Sequence, residues 1–402
     1  MSKILHSVTA IPGGARICFH PQVPALELTE DSADKLKILL DEHQFYLRSF
    51  HLCQILLRAG DRQCSDCAVL DQVLSDGRTD VITYSLFRLL RLNQSLSALQ
   101  MTELLTALGD QGRALILQLT TEIEGRWYNR GLELSVTSRD LFCFTDGYGG
   151  IRERHPFRAR QVYYGPDSTK FTIEVMNLVN RFNARKVFGS SAGCGLQEMV
   201  LAKTISLDLL VGYEPSPLAM AYARFNRGLN GMRDRIKFVS DLATLTRTLD
   251  GVALDLVYAN PPWVPVPAGL AHIFPLSGYG GHDGMQILGP MIEEHGRRLR
   301  SGGHFYLKCS LPDSLINTAK TALRDKMFFG LRQVEFDIET TGDSLEASAC
   351  WMSDWILNDP REGFEESPEV SETRLQLEAS LLKHWRALGI WRFYPVELLL
   401  EK

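Results

Sequence analysis

The stretch "DLVYANPPWVPVP", Asp255–Pro267, ends an apolar run and passes directly into a loop with four prolines. Asn260 offers one side-chain acceptor. The Pro261 carbonyl offers a second, and the prolines bring no N–H to compete for it. Two acceptors at a fixed angle suit a planar –NH2 with two donors. A nitrogen held this way has its lone pair turned out of conjugation and aimed at an electrophile. Trp263 adds a flat face that can stack a planar substrate or favour a passing sulfonium by roughly 0.5–2 kcal/mol. The plainer alternative for this stretch is a rigid turn.

Three other places carry residues suited to a ligand. The turn "GSSAGCG", Gly189–Gly195, has small residues that let a ligand approach the backbone, and it opens a helix with free N–H groups. Glu214 ends the apolar run "LLVGY", where a carboxylate can accept from two ribose hydroxyls. Asp241 follows the run "RIKFVS" and could receive an adenine amino group. It serves equally well as the N-cap of a helix over "LATLTRTL".

These residues need a scaffold, and the chain supplies a rhythm for one. From Lys186 onward, short apolar runs at "KVFGSS", "LDLLVGYE", "RIKFVS", "LDLVYAN" and "GHFYLKCS" alternate with helical or loop segments. That alternation predicts βαβ units and a mostly parallel sheet covered on both faces. "LRQVEFDIET" and "SACWMSDWIL" are expected as two strands pairing into an antiparallel edge. "NDPREGFEESPEVSETR" reads as an acidic linker and "LQLEASLLKHWRALGI" as a last helix.

Residues 1–150 read differently. A short-strand lead-in precedes a helical stretch from Ser32 to about Gly60. Helices follow over "ITYSLFRLLRLN" and over "ALQMTELLTALGDQG", the latter expected to end at Asp-Gln-Gly. Strands over "RWYNRGLELSVTSRDLFCFTD" close the region. The expected organisation is a mainly helical domain with a small sheet over 1–150, on the substrate side, and an α/β domain with a C-terminal helix over 151–402.

Composition narrows the function. The chain has 402 residues, formal net charge −5 and sequence pI of about 6.1, so no global basic field draws nucleic acid. "RERHPFRAR", Arg152–Arg160, is a local basic cluster, read as a solvated connector before a phosphate or carboxylate site. The opening "MSKILHSVTAIPGG" reads as neither signal nor transit peptide, and no run is long enough for a membrane span. A cytoplasmic protein with free thiols is expected. Cys64 and Cys67, with His51 and Cys53 upstream, fit no familiar zinc spacing, so no metal is expected.

Taken in order, the glycine turn, Glu214, Asp241 and "NPPW" resemble the class I methyltransferases that use S-adenosylmethionine. Within them the region from about Gly165 to Leu357 is most similar to the release-factor glutamine methyltransferase group. "GYGGHDGMQILGP" is similar to the Gly-Gly-x-Asp-Gly segment of that group, and "GPDSTKFTIEVMNLV" to its Pro-x-x-Thr segment. The resemblance implies a Rossmann-like α/β domain with a mostly parallel seven-stranded sheet and an antiparallel edge. It also implies S-adenosylmethionine as cofactor, held by Ser168, Gly189, Ser191, Gly193, Gly195, Glu214, Asp241 and Asn260. Asn260, Pro261 and Trp263 would act in the transfer, and Pro262, Trp263, His282 and Asp283 would face the substrate.

One departure stands out. The family's first turn opens with an acidic residue and then Gly-x-Gly-x-Gly, whereas here those positions hold Gly189 and Ser191. The acidic residue normally helps hold the cofactor's amino-acid end, and Asp167 is a candidate to replace it. The expected activity is N-methylation of a protein side chain or small metabolite. Three alternatives follow it: another use of the same cofactor (S-methylation, or transfer or cyclisation of its aminocarboxypropyl arm), then methylation of a nucleic acid, then a non-catalytic interaction protein of the same fold.

Overall fold

The computed structural model describes residues 7–18, 25–58, 67–77, 79–130, 132–137, 141–145, 162, 164, 166–316, 331–339, 341–357 and 368–402. Arg152–Arg160 and Cys64 lie outside those residues. The chain divides into two compact units, one of Met1–Tyr164 with Pro217–Arg233 and one of Gly165–Ser216 with Asp234–Lys402.

The second unit is built on one sheet. Its strands are β1 (Lys186–Ser190), β2 (Leu209–Tyr213), β3 (Lys237–Val239), β4 (Leu254–Ala259), β5 (Leu299–Pro312), β6 (Arg332–Ile338) and β7 (Arg392–Glu401). They lie in the order 3-2-1-4-5-7-6, and the two-residue strand Asp343–Ser344 also pairs with β7. Neighbours from β3 through β5 run parallel, whereas β7 runs antiparallel to both β5 and β6. The unit's helices are α1 (Pro166–Arg181), α2 (Leu196–Thr204), α3 (Leu242–Thr248), α4 (Leu288–Gly296), α5 (Leu345–Leu357) and α6 (Pro368–Ala387). This is a Rossmann-like α/β sheet.

The strands read as unbroken apolar runs because they are buried on both faces. Phe188, Val211, Val257, Phe305 and Leu400 sit fully enclosed in one core cluster. Asp255 ties the N-terminal ends of the central strands together. One of its oxygens accepts from the backbone N–H of Arg185 and Lys186 at 2.8 Å each, and the other pairs with Arg300 at 2.6 Å. Burial raises the Asp255 carboxyl, and these partners more than offset it and leave it below its ordinary range.

The C-terminal third corrects two expectations. "SACWMSDWIL" is not a strand but most of α5, which buries Leu345, Ala349 and Met352 on one face at helical spacing. The Ser344 hydroxyl accepts from the Ala347 N–H at its start. The antiparallel strand is instead β7, which follows the last helix and inserts between β5 and β6 rather than lying at the edge. Pro395 within it argues against a central strand from sequence. Its carbonyl, however, accepts from Glu339 just past the end of β6, so its missing N–H faces the side where that ladder stops. Residues 368–374 of the expected acidic linker belong to α6.

The first unit carries an antiparallel meander over Ser7–Thr29, followed by helices and short hairpins. The helical stretch after Ser32 is two helices, Glu30–Glu42 and Phe45–Arg58, broken where Gln44 takes a φ of 49°. The helix expected to end at Asp-Gln-Gly ends at Ala107, and Asp110 opens a new one over Asp110–Leu119 with Gly109 as its N-cap. Helix Pro217–Leu229, between β2 and β3 in the chain, packs with this unit. Its Asn226 amide bonds both the N–H and the carbonyl of Phe144, as a neighbouring strand would.

Candidate functional site

Strand register brings the sequence-predicted residues to one end of the sheet. Ser190 pairs with Tyr213 on one side and Ala259 on the other, and Tyr213 pairs with Val239. The loops starting at Ser191, Glu214 and Asn260 therefore leave the sheet side by side, and the segment reaching Asp241 leaves next to them. The strand order reverses at β1, which is where open α/β sheets place their ligands.

The β1–α2 turn is a left-handed run. Ser191, Gly193 and Gly195 have φ of 64°, 57° and 81°. Glycine is the residue that takes such angles without cost, so Ser191 holds its place under strain. A Cβ on Gly193 would meet no atom within 4 Å, so the turn has open space over it. Gly195 caps α2 and has no side chain with which to bond the helix's first N–H groups.

Glu214 is only 8% exposed. One carboxylate oxygen accepts from the Gly193 N–H at 2.8 Å and the other from the Ser216 N–H at 2.9 Å. Burial raises its carboxyl to about 7 despite these two bonds. Each oxygen keeps a further acceptor position, enough for a pair of hydroxyls. Asp241 is the N-cap of α3, accepting from the Thr244 N–H at 2.8 Å. That bond, with help from the Thr244 hydroxyl and Arg247, holds its carboxyl below the ordinary range. Ser168 is buried in the first turn of α1, while Asp167 beside it is exposed.

Asn260 is half-buried, and among the described residues no group hydrogen-bonds its side chain or the Pro261 carbonyl. The loop holding them is braced from both sides. Val264 and Val266 donate to Gly278 and Gly281, and Gly280 donates to Val264. The buried Trp385 indole donates to the Pro265 carbonyl at 2.8 Å. Gly280 and Gly284 lie so close to the Trp263 backbone that a Cβ on either would come within 2.6 Å of it. The two motifs of the sequence, "NPPW" and "GYGGHDG", are thus one packed unit.

Trp263 is half-buried, with its ring 5.5 Å from Phe393 and tilted against it. Pro262 is also half-buried. His282 and Asp283 are exposed, and both shape the loop locally. The His282 carbonyl accepts from His384 Nε2 at 2.8 Å, and Asp283 accepts from the Met285 N–H at 2.9 Å.

One group at the site is absent from the sequence expectation. Glu198, in the first turn of α2, is 0% exposed. It accepts from the Tyr258 hydroxyl at 2.8 Å through Oε1, and among the described residues Oε2 has no hydrogen-bond partner. Burial raises its carboxyl to about 7, with the Glu214 charge adding to the rise, while Tyr258 and its own backbone N–H pull it down. The available signal was a lone acid inside the otherwise apolar helix run "LQEMVLA".

No protein-family model matches the chain. It is 32% identical over 138 residues to the release factor glutamine methyltransferase of Mycolicibacterium smegmatis, covering 32% of this chain and 46% of that protein. It is 26% identical over 167 residues to the enzyme of the same name from Deinococcus radiodurans, covering 40% and 58%. The chain therefore spans about half the length of the curated relatives it matches. Among solved structures it is similar to a SAM-dependent methyltransferase from Thiobacillus denitrificans in complex with S-adenosyl-L-homocysteine, with 13% identity, TM-score 0.34 and coverage of 59% and 91%. It is also similar to TYW2 of P. horikoshii in complex with MeSAdo, with 10% identity, TM-score 0.36 and coverage of 68% and 74%.

Proposed function

We propose that the chain is an S-adenosylmethionine-dependent methyltransferase acting on a nitrogen of a protein side chain or small metabolite. The observation that carries this reading is the register that sets an unpartnered Asn260 beside the open Gly193 turn and the buried Glu214. The similarity to release factor glutamine methyltransferases supports a protein amide among the candidate acceptors.

The residues fit the cofactor. Gly193 leaves room for it, Glu214 keeps acceptor positions for two ribose hydroxyls, and the exposed Asp241 carboxylate can accept from an amino group. When bound, S-adenosylmethionine supplies a methyl carbon on a sulfonium that departs as a neutral thioether, so no acid is needed for the leaving group. The chain's own work is positional. Asn260 Oδ1 and the Pro261 carbonyl accept the two N–H bonds of the acceptor nitrogen and stabilise the positive charge that develops there. Holding nitrogen and methyl near attack distance is worth about 7–11 kcal/mol. These acceptors suit an amide, an aryl amine or a neutral amine, because a protonated amine has no lone pair to offer. Trp263 and Pro262, set by the Gly280–Gly284 brace, would flank the acceptor's plane, and the first unit is assigned the selection of substrate.

Calorimetric titration with S-adenosylmethionine and with S-adenosylhomocysteine tests the cofactor, using wild type and Glu214→Ala. Micromolar binding that Glu214→Ala weakens is the expected result. A folded protein that binds neither molecule would remove the basis for the reading.

A further inference from the structure

Position 189 has no side chain, and its space is already filled. A Cβ there would lie 2.1 Å from Glu198 Oε1 and 2.7 Å from the Tyr258 ring and hydroxyl. Tyr258 is the direct cross-strand partner of Gly189, and its hydroxyl donates to that same Oε1. Gly189, Tyr258 and Glu198 are therefore a matched set: the strand gives up a side chain, and the neighbouring helix delivers a carboxylate into the vacated place. An aspartate at 189 would put its carboxylate oxygens two bonds beyond its Cβ, in the region of Glu198 Oε1, which lies 2.1 Å from that Cβ position.

The charge is costly where it stands. Burying a carboxylate is penalised unless a cation or a full set of donors meets it. Among the described residues, the groups acting on Glu198 are Tyr258 from β4, its own N–H, and Glu214 beyond β2, and none of these is a cation. Oε2 is enclosed and, among the described residues, unpartnered. Two carboxylates thus sit beneath the β1–α2 turn with no positive group among the described residues offsetting Glu198, at the end of the sheet where a ligand is expected. A cation brought from outside would offset that charge.

We propose that Glu198 is a positioning carboxylate, which from beneath the β1–α2 turn sets the negative potential that holds the ammonium group of the bound molecule's amino-acid arm. This rests on the cofactor reading above and assigns to Glu198 the part for which exposed Asp167 was a candidate. Because Oε2 is enclosed, Glu198 acts across the turn rather than by contact. Interactions of a few ångströms through a protein interior are large enough to govern affinity in this way.

The test compares two ligands that share the adenosine and thioether. S-adenosylhomocysteine carries the ammonium, and 5′-methylthioadenosine does not. Binding of each is measured calorimetrically to wild type and Glu198→Gln between pH 5.5 and 8, with folding checked by thermal melting. Glu198→Gln is expected to weaken S-adenosylhomocysteine about tenfold and to leave 5′-methylthioadenosine within about twofold. The wild-type preference for the ammonium ligand should grow as pH rises through 7, and the variant should lose most of that growth. Glu214 is the same in wild type and Glu198→Gln, so the change in the ratio of affinities between the two proteins isolates Glu198. A triple variant, Gly189→Asp with Glu198→Ala and Tyr258→Val, should recover the preference by returning the carboxylate to the strand. Equal weakening of both ligands, or none, would overturn the proposal while the cofactor reading stood. If wild type bound neither ligand, both would fall together.

Discussion

Glu198 should make the ligand-free protein less stable at alkaline pH, in an amount the structure sets. Its carboxyl is raised from the ordinary 4.5 to about 7. At 1.36 kcal/mol per pH unit, that gap corresponds to about 3 kcal/mol between the neutral and ionised forms. The folded state holds the proton more tightly than the unfolded state does. The associated stability is therefore full below pH 4.5 and is lost as pH rises through 7. Glu198→Gln removes the ionisation, keeps an oxygen to accept from Tyr258, and is close to isosteric. At pH 5 the variant and wild type should melt within a degree or two of each other. At pH 8 the variant should be more stable by up to about 3 kcal/mol, or about 6–12 °C for a unit of this size. Scanning calorimetry without ligand measures both. A variant that melted lower than wild type at pH 8 would refute the reasoning, since the ionised carboxylate would then be stabilised by a partner. So would an offset that did not change with pH.

Two further outcomes follow from the loop after β4. Asn260→Ala should lower turnover by about 10²–10³, as loss of one preorganised polar group does, while cofactor affinity and melting temperature stay close to wild type. Steady-state kinetics on the acceptor, paired with calorimetry, checks this, and unchanged turnover would remove Asn260 from the mechanism. Gly280→Ala places a Cβ 2.6 Å from the Trp263 carbonyl carbon, which is backbone and cannot swing aside. It should cost about 1–3 kcal/mol by denaturant unfolding, and a midpoint equal to wild type would mean that the brace is loose.

Much of the site was readable from the chain because strand ends are local features. A short apolar run stops where burial stops, and the residue just past it faces the ligand end of the sheet. Glu214, Asp241, Asn260 and the Gly-rich turn after β1 all stand past strand ends in the way the sequence implies. The cap that Asp241 places on α3 likewise depends on a neighbour three residues away. "SACWMSDWIL" reads as a strand for a related reason: an apolar run of that length satisfies both periods, and its helical face is defined by α6, β7 and the loop after β4 that pack against it.

What only the tertiary structure decided has one physical source, which is pairing between distant segments. β7 lies between β5 and β6 because a ten-residue apolar strand finds its partners in the sheet, and Pro395 is harmless only because of where β6 ends. The acid missing from the glycine turn could be seen as a gap in the sequence, but its replacement could not. Glu198 meets Tyr258 across 60 positions, and both meet Gly189 only when β4 pairs with β1. The sequence by itself determined strands β1 to β6 and the polar groups standing past the ends of β1 to β4, but not β7. Sheet register alone determined which carboxylate fills the space beside Gly189, because a cross-strand neighbour is set by long-range pairing and leaves no trace in local spacing.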